Sequence, residues 1–228
     1  MANLSRRHRT NRARVAAREP LELSKAVDEL KKFDPAKFDE TVEVALRLGI
    51  DAKQTAHGVR GAFSLPHGTG KKLRVIAFCD GEDAAAALAA GAIEAAGEEL
   101  AKKVEGGWLD FDVAIAHPGM MRFVGKLGRV LGPQGKMPSP KSGTVTADVG
   151  KGVREFVAGK IEFRNESGGI VHAPVGRRSF TKEQLVENIH AFIEHVNGMR
   201  PPGTKGVFIR KAVIKSTMSP SVLVQVSG

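Results

Sequence analysis

The sequence contains little cysteine, few aromatic residues and no long apolar run, and each shortage excludes a class of protein. Cys79 is the one cysteine in 228 residues, so an internal disulfide and a metal site built on several cysteines are excluded, and a reducing compartment is expected. With no tyrosine and one tryptophan, the sequence does not predict an aromatic platform for stacking bases. No stretch approaches the roughly 20 apolar residues of a membrane span, so we expect no membrane contact.

Positive charge is abundant, and it is concentrated at the two ends of the chain. The formal net charge is +10. Residues 1–18 hold six arginines and no acid, and residues 159–228 hold ten basic against five acidic residues. This excess predicts a nucleic-acid partner, the alternative being charge that only aids solubility. We expect residues 1–18 to form a basic arm that is mobile until it meets phosphate, with an organellar transit peptide as the alternative.

The hydrophobic pattern along the chain changes twice, from one typical of α+β structure to one typical of parallel α/β structure and back. Helical spacing predicts a helix over residues 21–33, and alternation of apolar and polar residues predicts a strand that ends at Leu48. Between residues 73 and 158, buried apolar runs alternate with helices, which is typical of a small parallel α/β unit. The last part of the chain predicts a hairpin around Ser167-Gly168-Gly169, a helix opened by a capping box at Thr181, and two closing strands.

These patterns predict a mixed α+β and α/β protein of two domains. Residues 1–66 and 159–228 would form a discontinuous, sandwich-like α+β domain that includes the basic arm. Residues 67–158 would form a small Rossmann-like parallel α/β domain inserted at a surface loop. A single α/β domain with an irregular sheet is the alternative.

No motif in the sequence predicts catalysis. Gly68–Lys72 looks like a phosphate-binding loop, but it lacks the first glycine and the final serine or threonine of that motif. His190 and His195 lie five residues apart on a predicted helix and cannot share a metal. We predict a non-enzymatic protein without cofactor, metal or catalytic residues. The rival is a nucleotide-dependent enzyme whose ligand lies at the carboxyl ends of the parallel strands, near Asp80 or His117.

The segment Gly125–Gly143 is rich in glycine and proline, and all of its charges are positive. Glycine permits close approach and proline restricts the backbone, so we expect an ordered loop that can face a phosphate backbone. Its candidate contacts are Arg129, Lys136 and Lys141. The alternative is a loop that covers a sheet edge.

Six motifs, in order along the chain, together resemble the family of the bacterial large-subunit ribosomal protein L1, and the match as a whole runs from about residue 21 to residue 226. They are KFDETVEV at 37–44, SLPHGTGK at 64–71, GWLDFD at 107–112, LGRVLGPQGKMPSPKSGTV at 127–145, GKIEFRNESGGIVHAPVG at 159–176 and STMSPSV at 216–222. The resemblance implies the two-domain fold predicted above.

The resemblance also implies function and partners. It implies a cytoplasmic ribosomal protein, monomeric off the ribosome, that binds 23S rRNA beside other large-subunit components. It further implies assistance in releasing deacylated tRNA from the exit site. That the loop of Arg129, Lys136 and Lys141 faces this tRNA is a hypothesis that rests on the residues of the loop. Repression of the protein's own mRNA is implied as well. An RNA-binding regulator outside the ribosome is the alternative.

The RNA contacts implied by the resemblance fall on two segments. They are Lys37, Phe38, Thr41 and Glu43, followed near the C-terminus by Ser216, Thr217, Met218 and Ser219. Position 219 departs from the family pattern, which usually has glycine there. We expect Glu43 to accept a hydrogen bond from RNA or to orient an arginine. Further candidate contacts are His172 and the cations Arg164, Arg177, Arg178, Lys211 and Lys215.

Overall fold

The structure, a computed structural model, describes residues 5–15, 19–51, 57–202, 204 and 206–226. The chain divides into two compact units: Met1–Gly70 together with Phe163–Gly228, and Lys71–Glu162. The mixed α/β class and the parallel sheet predicted from the sequence are confirmed. No helix among the described residues is long and apolar enough to cross a membrane.

The first unit is built on a four-stranded antiparallel sheet of order β7-β1-β8-β9, with a separate two-stranded sheet of β2 and β6. Its elements are α1 (Arg6–Arg14), α2 (Leu23–Lys32), β1 (Thr41–Leu48), β2 (Arg60–Ser64), the end of β6 (Lys160–Arg164, whose first three residues belong to the second unit), β7 (Ile170–Arg177), α8 (Lys182–Gly198), β8 (Ile209–Ser216) and β9 (Val222–Val224).

Alternation along β1 separates the two faces of the larger sheet. Val42, Val44, Leu46 and Leu48 are buried, whereas the positions between them are half-buried or exposed. Helices α2 and α8 pack against each other and cover the buried side, α2 over β8 and β9 and α8 over β7. The predicted capping box is present at Thr181 and Gln184, and it satisfies backbone donors at the start of α8.

The second unit is a three-layer α/β arrangement around a parallel sheet of order β4-β3-β5. Its elements are β3 (Val75–Phe78), α3 (Glu82–Ala89), β4 (Glu94–Ala96), α4 (Glu98–Glu105), β5 (Val113–Ala116), α5 (Met121–Val124), α6 (Gly128–Leu131) and α7 (Val149–Val157). All four residues of β3 are buried, because one face packs on α3 and α7 and the other on α4, α5 and α6.

The prediction of a mobile basic arm is wrong for residues 5–15, which form helix α1. Ser5 caps this helix, and the fully buried Asn11 anchors it. The Asn11 side chain donates to the Asp34 carbonyl (3.2 Å) and accepts from the Asp34 amide (2.9 Å). Arg14 of the same helix also donates to the Lys32 carbonyl and lies 3.9 Å from the Asp34 carboxylate, so polar contacts replace the apolar stripe by which a helix is usually recognised. Residues 1–4 and 16–18 of the predicted arm lie outside the described residues.

The predicted hairpin forms only at its tip. Gly169, at φ +71°, closes a turn by donating to the Glu166 carbonyl (2.9 Å), and one bridge joins Asn165 to Val171. Beyond this bridge, β6 pairs with β2 and β7 pairs with β1.

The segment at residues 125–143, predicted as a loop, contains short helical turns at Gly125–Leu127, Gly128–Leu131 and Pro140–Ser142.

A buried amide fixes the segment that leaves the first unit. The Asn188 side chain on α8 is fully buried, accepts from the His67 amide (3.0 Å), and donates to the carbonyls of Gly68 (3.0 Å) and Val175 (2.8 Å). Each of these backbone groups would be unsatisfied without it, and an unsatisfied buried group costs roughly 1–3 kcal/mol.

We therefore expect Asn188→Ala to lower the free energy of unfolding by about 2–4 kcal/mol in urea denaturation followed by circular dichroism. Asn197→Ala, an exposed asparagine of the same helix, is the control and is expected to change it by less than about 0.5 kcal/mol. Equal stability of the two variants would contradict the anchoring role of Asn188.

Candidate nucleic-acid interface

Six of the predicted contacts share one face of the four-stranded sheet, among them Lys211 of β8, which lies opposite Arg47 of β1. Thr41 and Glu43 occupy the outward positions of β1. The register places Arg177 of β7 opposite Thr41 and Lys215 of β8 opposite Glu43. His172, exposed on β7, lies on the same face. We call this the open face, because α2 and α8 cover the other side.

Hydrogen bonds fix the end of the open face at which β1 begins and β7 and β8 end. The Arg177 guanidinium donates to the Thr41 hydroxyl (3.1 Å) and to the Asp39 carbonyl (3.2 Å). The Thr41 amide donates to the Thr217 hydroxyl (3.1 Å), and the Thr217 amide donates to the Thr41 carbonyl (3.0 Å). Thr41, Thr217 and Arg177 therefore form one connected polar group drawn from both ends of the chain.

Glu43 pairs with a lysine and not with an arginine. Its carboxylate lies 3.6 Å from the Lys215 ammonium, with both side chains more than a third exposed. Such a pair is worth roughly 0–1 kcal/mol, so it leaves both groups able to exchange partners with a ligand.

Two large apolar side chains stand out at the edge of the open face. The side chains of Phe38 and Met218 are 54% and 49% exposed. Lys37 beside Phe38 and Thr217 beside Met218 are exposed as well. Exposed apolar groups surrounded by polar ones are typical of a contact surface.

Glu40 is the residue of this site that the sequence analysis missed. Its carboxylate is 1% exposed, accepts from the Ala36 amide (2.7 Å) through Oε1, and accepts from the Met218 amide (2.9 Å) through Oε2. A signal was present in the sequence, since position 40 continues the even-numbered series that faces inward in β1, and an acid there predicts a buried charge.

The surroundings of Glu40 favour its charged form. Burial is the largest influence and would raise the pKa of this carboxyl, but four neighbouring groups together outweigh burial and hold the pKa below its ordinary value. The strongest of the four are the hydrogen bonds from the Ala36 and Met218 amides. The Ser216 hydroxyl and the Arg178 guanidinium, whose Nη1 lies 4.0 Å from Oε1, also lower the pKa, although neither completes a hydrogen bond to the carboxylate. Glu40 is therefore ionised at neutral pH.

Ser216 and Ser219 serve the backbone of the turn at residues 216–219. Ser216 is fully buried, so its side chain points away from the surface that Thr217 and Met218 present. The Ser219 hydroxyl accepts from the Ser216 amide (2.9 Å) and donates to the Pro220 carbonyl (2.9 Å). No described non-glycine residue has positive φ, so the backbone at position 219 does not require glycine.

Two of the predicted cations are placed differently from the rest. The Arg178 side chain is 14% exposed and donates to the carbonyls of Lys31 and Phe33 at the end of α2. It is a structural residue and not a surface cation. Arg164 is exposed at the end of β6, in the two-stranded sheet and not on the open face.

The predicted loop cations of the second unit separate into two kinds. Arg129 and Lys141 are exposed. Lys136 is half-buried: its ammonium donates to the Leu109 carbonyl (3.0 Å) and lies 4.9 Å from the centre of the Phe111 ring. Of the three cations, Lys136 already uses its ammonium group in contacts within the protein.

The cleft that a nucleotide-dependent enzyme would use is acidic. A cleft of about 540 Å³ lies at the carboxyl ends of β3 and β4, and its lining includes Asp80, Glu98 and Glu99. These carboxylates would repel nucleotide phosphates. His117 lies elsewhere as a cap, its Nδ1 accepting from the Gly119 amide (3.2 Å).

The described residues also give little support for a nucleophilic cysteine or for a metal site. Burial, followed by the charges of Asp83 and Asp80, raises the pKa of the Cys79 thiol to about 11, so the thiol is protonated at neutral pH. Among the described residues, no three histidine, cysteine, aspartate or glutamate side chains are grouped as metal ligands would be.

The profile of the "Ribosomal protein L1p/L10e family" matches residues 30–220. A protein of Thermosipho melanesiensis named "Large ribosomal subunit protein uL1" is 47% identical over 225 residues, which cover 98% of this chain and 97% of that protein. Matches of this extent include both units, and they show that this chain belongs to the ribosomal protein L1p/L10e family.

Proposed function

We propose that the protein is a non-enzymatic component of the large subunit of cytoplasmic ribosomes that binds 23S rRNA through the open face and its edge. The observation that carries this proposal is that Thr41 and Thr217, from opposite ends of the chain, are hydrogen bonded to each other, with the exposed side chain of Met218 next to Thr217 and that of Phe38 three residues before Thr41.

The cluster is chemically suited to structured RNA. Structured RNA is recognised by its shape, its 2′-hydroxyls and its unstacked bases. Thr41, Thr217 and Arg177 offer hydroxyl and guanidinium groups at fixed positions. Phe38 offers a ring face for a base, and Met218 a polarisable apolar surface.

Charge on the open face supports attraction of the RNA backbone. Arg47 on β1 lies directly opposite Lys211 on β8, and neither forms an ion pair with a described residue. Like charges opposed across a sheet are unfavourable, so an anionic partner would relieve their repulsion. Lys215, by contrast, is already offset by Glu43.

Three further roles belong to the same proposal. We propose that the protein helps to release deacylated tRNA from the exit site, with Arg129 and Lys141 as the exposed cations of its second unit. We propose that it represses its own mRNA, because one RNA-binding face can serve any RNA that presents the same shape. Off the ribosome it would be a monomer.

Met218→Ala is expected to weaken binding to a 23S rRNA transcript about 10-fold, or roughly 1.4 kcal/mol, because an apolar contact of Met218 with RNA is lost. Filter binding measures the change. Val207→Ala removes an apolar side chain of similar exposure (57%) in the same unit and is the control. Equal affinity of the two variants would contradict the assignment of the site.

Lys211→Gln is expected to lower the slope of log affinity against log salt by about one, because one phosphate contact is lost. The same change at Lys182, whose ammonium lies 2.6 Å from Asp28 on the helical side, is expected to leave the slope unchanged. If both variants behave alike, the cations of the open face have no special part in binding.

The proposed tRNA contact is tested by crosslinking from position 141. Because Cys79 is buried and its thiol pKa is about 11, a Lys141→Cys variant can be labelled selectively with a photoreactive group. Translocating ribosomes that carry it are expected to crosslink to exit-site tRNA, whereas a Lys102→Cys control, beside the acidic cleft, is not. No crosslink from position 141 would refute the tRNA contact.

A further inference from the structure

One buried carboxylate connects the two segments that carry the most exposed apolar side chains of the proposed site. Oε1 of Glu40 holds the amide of Ala36, two residues before Phe38, and Oε2 holds the amide of Met218 itself. The two carboxylate oxygens therefore bridge segments that are about 180 residues apart in sequence, with distances of 2.7 and 2.9 Å.

This burial is unusual within the chain and costly. Among the described residues, Glu40 is the only acidic or basic residue in the buried class. A buried carboxylate is tolerated only when hydrogen bonds and a counter-charge compensate for lost hydration. Here the compensation comes from the two amides and from Arg178, which is itself held by carbonyls at the end of α2.

The backbone of Glu40 strengthens the same connection. Its carbonyl accepts from the Arg178 amide (2.8 Å), and the next residue, Thr41, exchanges hydrogen bonds with Thr217. Neither carboxylate oxygen faces solvent, so the side chain has no route to a ligand. Its effect on a ligand must pass through the backbone that it holds.

We propose that Glu40 is a positioning residue that fixes the spacing and orientation of Phe38 and Met218 before RNA binds. This inference rests on the function proposed above. Holding a contact surface in its bound geometry avoids the entropic cost of ordering it on association, so loss of the bridge should weaken binding without removal of any RNA contact.

Two variants break the bridge in different ways. Glu40→Asp keeps the negative charge beside Arg178, but its shorter side chain cannot reach both amides at once. Glu40→Gln keeps the length but replaces one acceptor oxygen with an NH₂ group that faces an amide donor. Glu194→Asp and Glu194→Gln are the matched controls, because Glu194 is an exposed acid on α8 whose carboxylate contacts His190 and neither of the bridged segments.

Binding to a 23S rRNA transcript is expected to weaken about 10-fold in Glu40→Asp and Glu40→Gln and less than twofold in the same two changes at Glu194. The salt slope is expected to stay that of the wild type, because no phosphate contact changes. Wild-type affinity in a folded Glu40 variant would overturn the proposal. A changed slope with weakened binding would overturn it as well, because it would assign Glu40 to backbone attraction.

A double-mutant cycle with Met218→Ala separates this inference from the function on which it rests. If Glu40 acts through Met218, Glu40→Asp should weaken binding much less in the Met218→Ala background than in the wild type. If Met218→Ala weakens binding and Glu40→Asp adds its full effect to it, the positioning role fails and the RNA site stands. If Met218→Ala has no effect, the proposed site itself fails.

Hydrogen exchange of the wild-type protein tests the same point without any variant. The Met218 amide is expected to be protected in the free protein and to gain little protection when the 23S rRNA transcript binds. Fast exchange in the free protein, with protection only in the complex, would overturn the inference that the bridge exists before binding.

Discussion

The pairing of β1 with β7 on one side and with β8 on the other is the constraint on which the rest of the first unit depends. This pairing brings residues 41–48 into register with residues 170–177 and 209–216, although a complete second unit lies between them in sequence. Every proposed RNA contact on the open face is a consequence of this register. A shift by one residue would turn Thr41 and Glu43 toward the core and Val42 and Val44 toward solvent.

In the proposed function, this geometry gives the long-range attraction of RNA and its specific recognition to different residues. Arg47 and Lys211 face each other without an acidic partner among the described residues, so their charge is available for long-range attraction. Thr41, Thr217 and Arg177 are committed to one another at distances near 3 Å, which fixes their direction. Arg178 shows that net charge alone misleads, because its guanidinium neutralises the interior and adds nothing to the surface.

Features that depend on local periodicity could be predicted from the sequence, whereas features that depend on single distant contacts could not. The alternation in β1 and the capping box of α8 follow from short-range chemistry, and both are present. Helix α1 was not predicted because polar contacts of Asn11 and Arg14 with residues 32–34 hold it in place of an apolar stripe. The pairing of the strands beside Gly169 was not predicted because their partners lie far away in sequence. The inward register of β1 could have predicted that Glu40 is buried, but an acid on a buried face runs against the usual hydrophobic pattern, so the prediction was not made.

The turn at residues 216–219 brings these points together. The Glu40 carboxylate holds the Met218 amide, Thr41 holds Thr217, and the Ser219 hydroxyl holds the Ser216 amide. Ser219 thus supplies with its side chain a constraint that a glycine would not, and its hydroxyl is committed to the protein. With three separate anchors on four residues, the half-exposed Met218 side chain stands on a fixed backbone. An apolar group held rigidly toward water loses little entropy on binding, which is the property that a recognition surface needs.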